Sequence, residues 1–569
     1  MKNFYFFGLL LLSIVSYAQN FSQYKRTWAT YIGVYPSEPV YERLKGDHLQ
    51  IFGNIESINS SDLEELNNRV LPTNSSNQIS AIKKYITYAE LNLDGEMVQY
   101  GYLNLVHFSR NINHPNPNYF IGKVDANSPY FVGELHDDYT YTVIETQLGL
   151  NYFSPFFDTN NIGNNYLIDQ DFNTYVFEDS SESKPFIPQY VGFNATYNSA
   201  LDSNGLVLKL NQQGEVIWNV YTHYYVTYSL QIINNEVVAL GSSANRYDVN
   251  NPFDALLSPT SAQSSPSNII YLRLNPTNGS YIYGTYFGDN NIFENKFFIK
   301  QHNNSLYALG SLRGGFQNPN IISSDAYQPT IQNRSSAYLG KFDFDLHPIW
   351  GTYLTSDAFT IAYAPSLSFL DDKIYINGMT LASTGLINTD YMEQPNKDDE
   401  FDAFLMKFNS NGQLIYGSYF GGNKIDVESF IYPVSEDTFY LFGNTRSDSR
   451  ITTPNAYQPN VTLQMSNGNE FFYAALFSPI NYLNTTDLAN YTIKIYPNPT
   501  KNKQLTIDGY LAKNSVIEIY NVIGQKVYEQ KAHLINRHFL HFPSLTTGTY
   551  FIKVTNINNE AITQKIIVR

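Results

Sequence analysis

Residues 403–419 read Ala-Phe-Leu-Met-Lys-Phe-Asn-Ser-Asn-Gly-Gln-Leu-Ile-Tyr-Gly-Ser-Tyr. Two alternating, largely apolar runs flank an Asn/Gly turn, which is the pattern of an antiparallel hairpin. The first run has counterparts that end at Leu210, Leu274 and Phe342. The last four residues are an aromatic, two small residues and a tyrosine. Versions of that element occur at Trp28-Ala29-Thr30-Tyr31, Tyr100-Gly101-Tyr102 (one residue shorter), Trp218-Asn219-Val220-Tyr221, Tyr283-Gly284-Thr285-Tyr286 and Trp350-Gly351-Thr352-Tyr353.

A second element is a short apolar strand that ends in glycine. Its six copies end at Gly53, Gly122, Gly241, Gly310, Gly378 and Gly443. Each glycine follows the tyrosine of a first element by 20 to 25 residues. This register predicts repeated units of antiparallel strands, and such units arranged around an axis form a β-propeller. The fold class is therefore all-β, with six blades over residues 19–478, or alternatively seven.

The two ends of the repeat array complement each other. Residues 472–477 match the third element, the run before the turn, but no first element follows them. Residues 28–31 are a first element with no third element before them. We expect these two pieces to complete one shared blade, which would leave no open sheet edge.

One repeat breaks the spacing. Gly122 and Tyr221 are 99 residues apart, whereas the equivalent stretch is 41 to 49 residues elsewhere. About 50 residues are inserted, and we place this insertion at about 125–195. It could form a loop cap, an extra degenerate blade or a disordered segment, and long insertions in repeat proteins often carry the binding surface.

Composition and charge exclude several classes of function. The chain has no cysteine, so disulfides, thiolate zinc sites and cysteine nucleophiles are excluded. Residues 19–490 carry a net charge of −23, whereas residues 491–569 carry +6. So acidic a body predicts no nucleic-acid partner. No apolar run reaches the roughly 18 residues of a transmembrane helix, so no membrane span is expected.

The N-terminus has the pattern of a secretory signal peptide over residues 1–18. Lys2 supplies a basic start, an apolar run follows from Phe4 to Val15, and small residues precede the expected cleavage between Ala18 and Gln19.

Candidate ligand residues are few. His136, Asp137 and Asp138 lie in the insertion, just after His107, Arg110 and His114. A histidine beside carboxylates is suited to metal or acid–base chemistry. Because these residues lack partners at a characteristic spacing, a solvated loop is the favoured interpretation. We predict no catalytic residue, metal or cofactor from motifs, since the zinc, nucleophile-elbow and phosphate-loop patterns do not occur.

Four cations share one repeat position: Lys209, Arg273, Lys341 and Lys407. They could form a partial ring that lines the channel and holds an anion. The favoured alternative is that each pairs with a neighbouring carboxylate across the strand. The repeated tyrosines and tryptophans are expected to form the core between blades.

A polar linker at 479–490 leads to a C-terminal domain at 491–569, whose alternating strands predict a small immunoglobulin-like sandwich. This domain contains the motifs Tyr496-Pro497-Asn498-Pro499, residues 517–527, Leu545-Thr546-Thr547-Gly548-Thr549-Tyr550 and Lys565-Ile566-Ile567-Val568-Arg569. Together they resemble the type A C-terminal sorting domain of proteins exported by the type IX secretion system of Bacteroidetes. The body resembles the propeller-like repeats of secreted Bacteroidetes proteins.

The resemblance implies export through the periplasm to a secreted or cell-surface location. The partner would be the type IX machinery, which removes the domain and attaches the product to surface lipopolysaccharide. Carried over by motif, the identity of the domain rests on Pro497, Asn498, Pro499, Gly524, Gly548, Tyr550, Lys565, Ile566, Ile567 and Val568. An alternative is that these glycines and prolines only set turns and that the apolar residues are core.

Three functions follow as hypotheses for the body. The leading one is a non-catalytic binding or adhesion module for a glycan or protein. The second is a propeller enzyme, hydrolase or lyase, that acts on polysaccharide with its acid or base in the insertion. The third is a structural surface or gliding-associated role.

Overall fold

The computed structural model describes residues 24–55, 85–153, 166–180, 204–242, 257–479 and 494–569, with shorter gaps inside these ranges. The predicted signal peptide lies outside the described residues, as does nearly all of the predicted linker. The chain divides into two compact units, Met1–Pro479 and Ile480–Arg569. Within the part of the chain that the structure describes, no helix reaches the length and hydrophobicity needed to cross a bilayer.

The described residues of the first unit form short strands and one short helix, α1 (Leu150–Phe153). Its strands are β1 (Tyr24–Tyr31), β2 (Pro39–Lys45), β3 (His48–Ile55), β4 (Tyr85–Leu91), β5 (Met97–Leu103), β6 (His107–Ser109), β7 (Tyr119–Lys123), β8 (Phe131–Leu135), β9 (Tyr141–Glu145), β10 (Tyr166–Ile168), β11 (Thr174–Ser180), β12 (Asn204–Leu210), β13 (Val216–Tyr221), β14 (Val226–Ile233), β15 (Glu236–Ser242), β16 (Ile269–Leu274), β17 (Tyr281–Phe287), β18 (Phe293–His302), β19 (Ser305–Arg313), β20 (Ser335–Phe342), β21 (Pro348–Leu354), β22 (Thr360–Ile361), β23 (Leu367–Leu370), β24 (Lys373–Thr380), β25 (Asp402–Asn409), β26 (Leu414–Phe420), β27 (Asp426–Ser435), β28 (Thr438–Thr445) and β29 (Phe471–Pro479).

These strands form seven antiparallel sheets among the described residues of the first unit. Sheet I has the order β1-β29-β28-β27. Sheets II to VI follow in chain order and each have four strands: β2–β5, β6–β9, β10–β13, β14–β17 and β18–β21. In sheet VII, β22 and β23 pair with different parts of β24, and β25 and β26 follow.

The repeat predicted six units where the structure has seven sheets, because two sheets each lack one element. Strand β9 of sheet III lacks the aromatic–small–small–Tyr element, and β11 of sheet IV lacks the terminal glycine. Six copies of each element therefore come from seven sheets. Sheet III and the first strands of sheet IV also take up much of the predicted insertion. Of the alternatives considered for that insertion, an additional sheet agrees with the described residues.

Apolar burial joins the sheets into a closed cycle. Each sheet shares one buried apolar cluster with the sheet before it and another with the sheet after it. Sheet VII shares its second cluster with sheet I, where Tyr416 and Phe420 pack with Tyr473 and Phe477. The predicted closure is confirmed, since β1 pairs antiparallel with β29 from Tyr24↔Pro479 to Tyr31↔Tyr473. The first unit is thus a β-propeller closed by strands from both ends of the repeat array.

The first strand of each sheet lies nearest the axis. Side chains of these strands donate to backbone carbonyls of the first strand in the following sheet: Gln231 Nε2 to Ile299 O, Lys300 Nζ to Leu367 O, and Ser368 Oγ to Ile431 O. Hairpin turns join first to second and third to fourth strands at one end of the sheets, the turn face. The loops from second to third strands lie at the opposite end, the loop face.

In three sheets the repeated aromatic residue is a tryptophan that fastens its sheet to the next one, a contact called the latch below. The indole N–H of Trp28 donates to Leu93 O at 2.7 Å, that of Trp218 to Pro276 O at 3.1 Å, and that of Trp350 to Ser410 O at 2.9 Å. Each acceptor lies in a third-to-fourth-strand turn of the following sheet. The ring covers the glycine of that turn so closely that a β-carbon there would lie under 3 Å from it. The prediction that these aromatics form inter-blade core agrees with this packing.

The second unit has two sheets around one apolar core. Its strands are β30 (Lys494–Tyr496), β31 (Gln504–Leu511), β32 (Val516–Asn521), β33 (Lys526–Lys531), β34 (Ile535–His541), β35 (Gly548–Thr555) and β36 (Ala561–Val568). One sheet has the order β30-β31-β34 and the other β33-β32-β35-β36. This is a small β-sandwich, as the alternating strands predicted.

Candidate functional site

The predicted ligand residues His136, Asp137 and Asp138 lie in the turn between β8 and β9. His136 Nε2 is 2.7 Å from Thr142 Oγ1, and Asp138 Oδ1 accepts hydrogen bonds from the backbone and hydroxyl of Thr140. The Asp137 carboxylate is 75% exposed and lies 3.7 Å from the Arg43 guanidinium. Their side chains therefore make separate local contacts, and a ligand site at these residues stays a prediction.

The four repeat-equivalent cations do not line the channel. They lie on the third strands, two strands away from the axis, and each stacks on a tyrosine ring. Lys209 also contacts Asp169 at 3.1 Å, and Arg273 contacts Glu236 at 3.4 Å. All four reach the following sheet, the acceptors being Pro276 O, Asp345, Ser410 O and the hydroxyl of Tyr24. The anion-ring hypothesis is wrong, and carboxylate pairing describes Lys209 and Arg273.

The first repeat element forms a seat for the loop between second and third strands. In sheet VI, the backbone N–H of Gln328 donates to Thr352 Oγ1 at 2.9 Å, and the N–H of Tyr353 donates to Gln328 O at 3.1 Å. Gln263, Gln394 and Gln458 dock in the same way in sheets V, VII and I. The seat residues belong to the first repeat element, whereas the glutamines that occupy them were not recognised from the sequence.

The loop-face seat of Gln328 borders a cavity of about 390 Å³. The Gln328 amide bridges two sheets, because Nε2 donates to Thr355 O of sheet VI and to Gly385 O of sheet VII. The cavity is lined by Tyr327, Gln328, Pro329, Thr330, Gln332, Gly385 and Ile387. The lining side chains are uncharged, so the cavity offers an aromatic surface and amide and hydroxyl groups.

A second polar cluster lies between sheets III and IV, at the loop-face end of their inner strands. His107 of β6 pairs across the sheet with Lys123 of β7, and His107 Nε2 is 3.1 Å from the Tyr166 hydroxyl of β10. The Lys123 ammonium lies 4.7 Å from the centre of the Tyr130 ring. Burial, assisted by the charge of Lys123, lowers the pKa of His107 to about 4. His107 is therefore neutral at neutral pH.

Asp426, at the start of β27, is a fully buried carboxyl group. Its Oδ2 accepts hydrogen bonds from Gly422 N at 2.8 Å and Ser447 Oγ at 3.0 Å, whereas Oδ1 has no partner among the described residues. Burial raises its pKa to about 7, and the nearby carboxylate of Asp402 adds to that rise against the effect of the hydrogen bonds. The folded protein therefore holds a proton on Asp426 in mildly acidic solution.

This protonation predicts a pH-dependent stability. Between its usual pKa of 3.8 and about 7, Asp426 is protonated only in the folded state. The contribution of Asp426 to the free energy of unfolding should therefore fall by about 4 kcal/mol as pH rises through this window, whereas the lowered pKa of His107 contributes in the opposite direction and is common to wild type and variant. Asp426→Asn should remove that decrease, as measured by thermal melting of the full chain between pH 4.5 and 8, followed by tryptophan fluorescence. Asp448→Asn, at an exposed ion pair with Lys424, should retain it. Parallel pH profiles for wild type and Asp426→Asn would contradict the assignment.

No group of three or more His, Asp or Glu side chains that could hold a metal ion occurs among the residues that the structure describes.

In the second unit, the Pro497-Asn498-Pro499 motif covers the edge of the last strand. Asn498 Nδ2 donates to Lys565 O at 2.8 Å, and the N–H of Ile567 donates to Asn498 Oδ1 at 2.9 Å. The N–H of Thr500 extends this contact by donating to Ile567 O. The side chain thus mimics a strand and satisfies an otherwise open edge.

The other motif residues of this unit also have structural roles. Gly524 has a φ of +81° in the turn between β32 and β33, where the Asn521 side chain accepts two backbone N–H groups. The Tyr550 hydroxyl donates to Thr546 O at 2.9 Å, a tyrosine corner typical of immunoglobulin-like sandwiches. Ile566 and Val568 are fully buried in the core, where they pair with Tyr550 and Gly548 of β35. Direct recognition of these residues by the export machinery stays a prediction.

Residues 494–569 match the family model described as the secretion system C-terminal sorting domain. This match confirms the predicted domain and shows that the chain carries a type IX sorting signal. The protein is therefore exported, to a secreted or cell-surface location.

Other comparisons show more limited likenesses. The ulvan lyase NLR42 of Nonlabens ulvanivorans is 32% identical over 78 residues, and the match spans only 14% of each chain. Among solved structures, the endosialidase of phage phi92 has 10% identity and a TM-score of 0.32, covering 95% of this chain and 87% of that one. The polysaccharide lyase Uly1 has 8% identity and a TM-score of 0.33, covering 78% and 90%.

Proposed function

We propose that the propeller is a non-catalytic module that binds glycan outside the cell, delivered there by its sorting domain. The observation that carries this proposal is the cavity between sheets VI and VII. Its lining of tyrosine, glutamine, threonine and proline offers a ring face and neutral hydrogen-bonding groups. Sugars present apolar C–H faces beside hydroxyl groups that both donate and accept, so such a lining suits them.

Two side chains of the cavity are suited to mutation, because they are exposed at its rim. Thr330 and Gln332 lie beyond the Gln328 seat, so shortening them should leave the seat in place. The full mature chain should be retained on immobilised neutral polysaccharides without cleaving them. In the double variant Thr330→Ala/Gln332→Ala, we expect binding to weaken at least about tenfold, since about 1.4 kcal/mol is lost with one or two hydrogen bonds.

A matched control is provided by the same loop motif in sheet I. Asn460 occupies the position of Thr330 after the equivalent glutamine, Gln458, and lies outside the cavity. Asn460→Ala should therefore bind like the wild type. Unchanged retention of the Thr330→Ala/Gln332→Ala protein on every polysaccharide would refute the cavity as the binding site.

The second candidate is a polysaccharide-acting enzyme, and the cluster at His107 favours it. A neutral imidazole that shares a hydrogen bond with the Tyr166 hydroxyl is a pair of groups able to accept and return a proton. The name of one relative, an ulvan lyase, is consistent with such a role, although the matched part is small. New reducing ends released by the wild type and lost in His107→Gln would replace the binding proposal with this one.

A further inference from the structure

We propose that the cluster around Lys123 is a second ligand site, one that binds the carboxylate of an acidic sugar. The site comprises Lys123 and His107 of sheet III, Tyr130 of the following loop, and Tyr166 of sheet IV. It lies between a different pair of sheets from the Gln328 cavity. The inference adds to the proposed function and shares with it the class of ligand, a glycan.

The first observation is a buried cation whose charge is not neutralised locally. Lys123 is 5% exposed, yet among the described residues no carboxylate oxygen lies within 4 Å of its ammonium. The nearest acidic influence is Asp125, which raises the pKa of Lys123 against the stronger lowering by burial. The Asp125 carboxylate also accepts the backbone N–H groups of Asn127 and Ser128. A buried ammonium without a close counter-charge is costly, and a bound anion removes that cost.

The contrast with other lysines of the same propeller strengthens this observation. Lys209 also stacks on a tyrosine ring and is also largely buried, but it contacts Asp169 at 3.1 Å and Pro276 O at the same distance. Lys407 donates to the Tyr24 hydroxyl at 2.6 Å. Lys123 shares the cation–aromatic contact, but among the described residues no comparable polar group contacts its ammonium.

The second observation is that the surrounding groups suit a sugar acid rather than a bare ion. His107 is half-buried on the inner strand and neutral, and its ring is perpendicular to that of Tyr130 at a centroid distance of 5.2 Å. Tyr166 reaches His107 from sheet IV, and burial raises its pKa, so its hydroxyl stays protonated. The ligand carboxylate would lie against Lys123, with its hydroxyl groups next to neutral partners. The body as a whole has a net charge of −23 and repels an anion at long range. The attraction between Lys123 and the ligand carboxylate therefore acts only at short range.

The test is calorimetric titration of the full mature chain with trigalacturonate at 0.1 M salt and neutral pH, with maltotriose as the neutral probe. We expect trigalacturonate to bind wild type, and Lys123→Gln to weaken that binding at least tenfold. The control Lys341→Gln removes an equal charge from another tyrosine-stacked lysine and should bind normally. Equal affinity of wild type and Lys123→Gln would overturn the proposal, as would competition by tetraglutamate at equal concentration, which would indicate an acidic peptide instead.

A second measurement needs no variant. The charge of Lys123 contributes to the low pKa of His107, so an anion that neutralises Lys123 should raise that pKa. NMR titration of labelled histidine in the wild-type chain should show the His107 pKa rising from about 4 when trigalacturonate is saturating. An unmoved pKa under saturation would overturn the site. If the His107 pKa does not move but Thr330→Ala/Gln332→Ala still loses maltotriose binding, the Lys123 site is refuted and the Gln328 cavity remains supported as a glycan site.

Discussion

Replacing Trp218 with alanine should destabilise the propeller by about 3–5 kcal/mol, the usual cost of truncating a buried aromatic side chain. Trp218 is fully buried between sheets IV and V, where its ring packs with Tyr175 and covers Gly279. The alanine variant would leave a cavity at this joint and would also leave Pro276 O without the indole donor. Since the sheets form a closed cycle, weakening one joint should lower the melting temperature of the whole first unit.

Fluorescence can follow this unit selectively. All three tryptophans, Trp28, Trp218 and Trp350, lie in the propeller, so tryptophan emission during thermal unfolding reports on it and not on the second unit. Trp218→Phe keeps an aromatic ring but loses the five-membered ring of the indole with its N–H group, so it should cost less than Trp218→Ala, about 1–3 kcal/mol. A melting midpoint of Trp218→Ala equal to that of wild type would contradict the latch between sheets.

The regular part of the fold could be predicted from the sequence because each repeat element has a fixed structural task. In sheets I, IV and VI the tryptophan is the latch to the next sheet. In sheets I, V, VI and VII the Thr or Ser hydroxyl seats the glutamine loop, and the following tyrosine donates its N–H to that loop. These tasks require the same residue types at the same spacing. Closure was predictable for the same reason, since Trp28 performs the latch on β1 and residues 472–477 form the strand beside it.

The number of sheets could not be predicted by counting the repeat elements. Sheet III lacks the aromatic element, and its joint with sheet IV is filled by Tyr130, Leu148 and Leu150 instead. Sheet IV does without the glycine on its second strand. Once an apolar cluster is filled by other side chains, the motif is no longer required, and counting motifs then counts too few sheets.

The candidate sites were hidden for a different reason. His107 and Lys123 are brought together by strand pairing, and Tyr166 comes from another sheet. The lining of the Gln328 cavity likewise comes from two sheets. The charge of Lys209 and its repeat equivalents was visible in the sequence, but their position away from the channel was not. That position follows from their place on the third strand of each sheet. Asp426 gave no signal, since its raised pKa depends on burial.

Export of a closed propeller by a separate sorting domain is the central claim, and deletion of residues 494–569 tests it. The closing pair of β1 and β29 lies wholly within residues 24–479, so the deletion should leave the propeller folded. Full-length and truncated proteins would be compared in a host with a type IX system, by antibody labelling of the propeller on intact cells and by fractionation. The Thr330→Ala/Gln332→Ala variant serves as a control that should reach the surface normally.

We expect the truncated protein to be missing from the cell surface and to accumulate in the periplasm with native tryptophan emission. The domain match at residues 494–569 is the basis of this expectation. Surface display of the truncated propeller at the level of the full-length protein would contradict the claim.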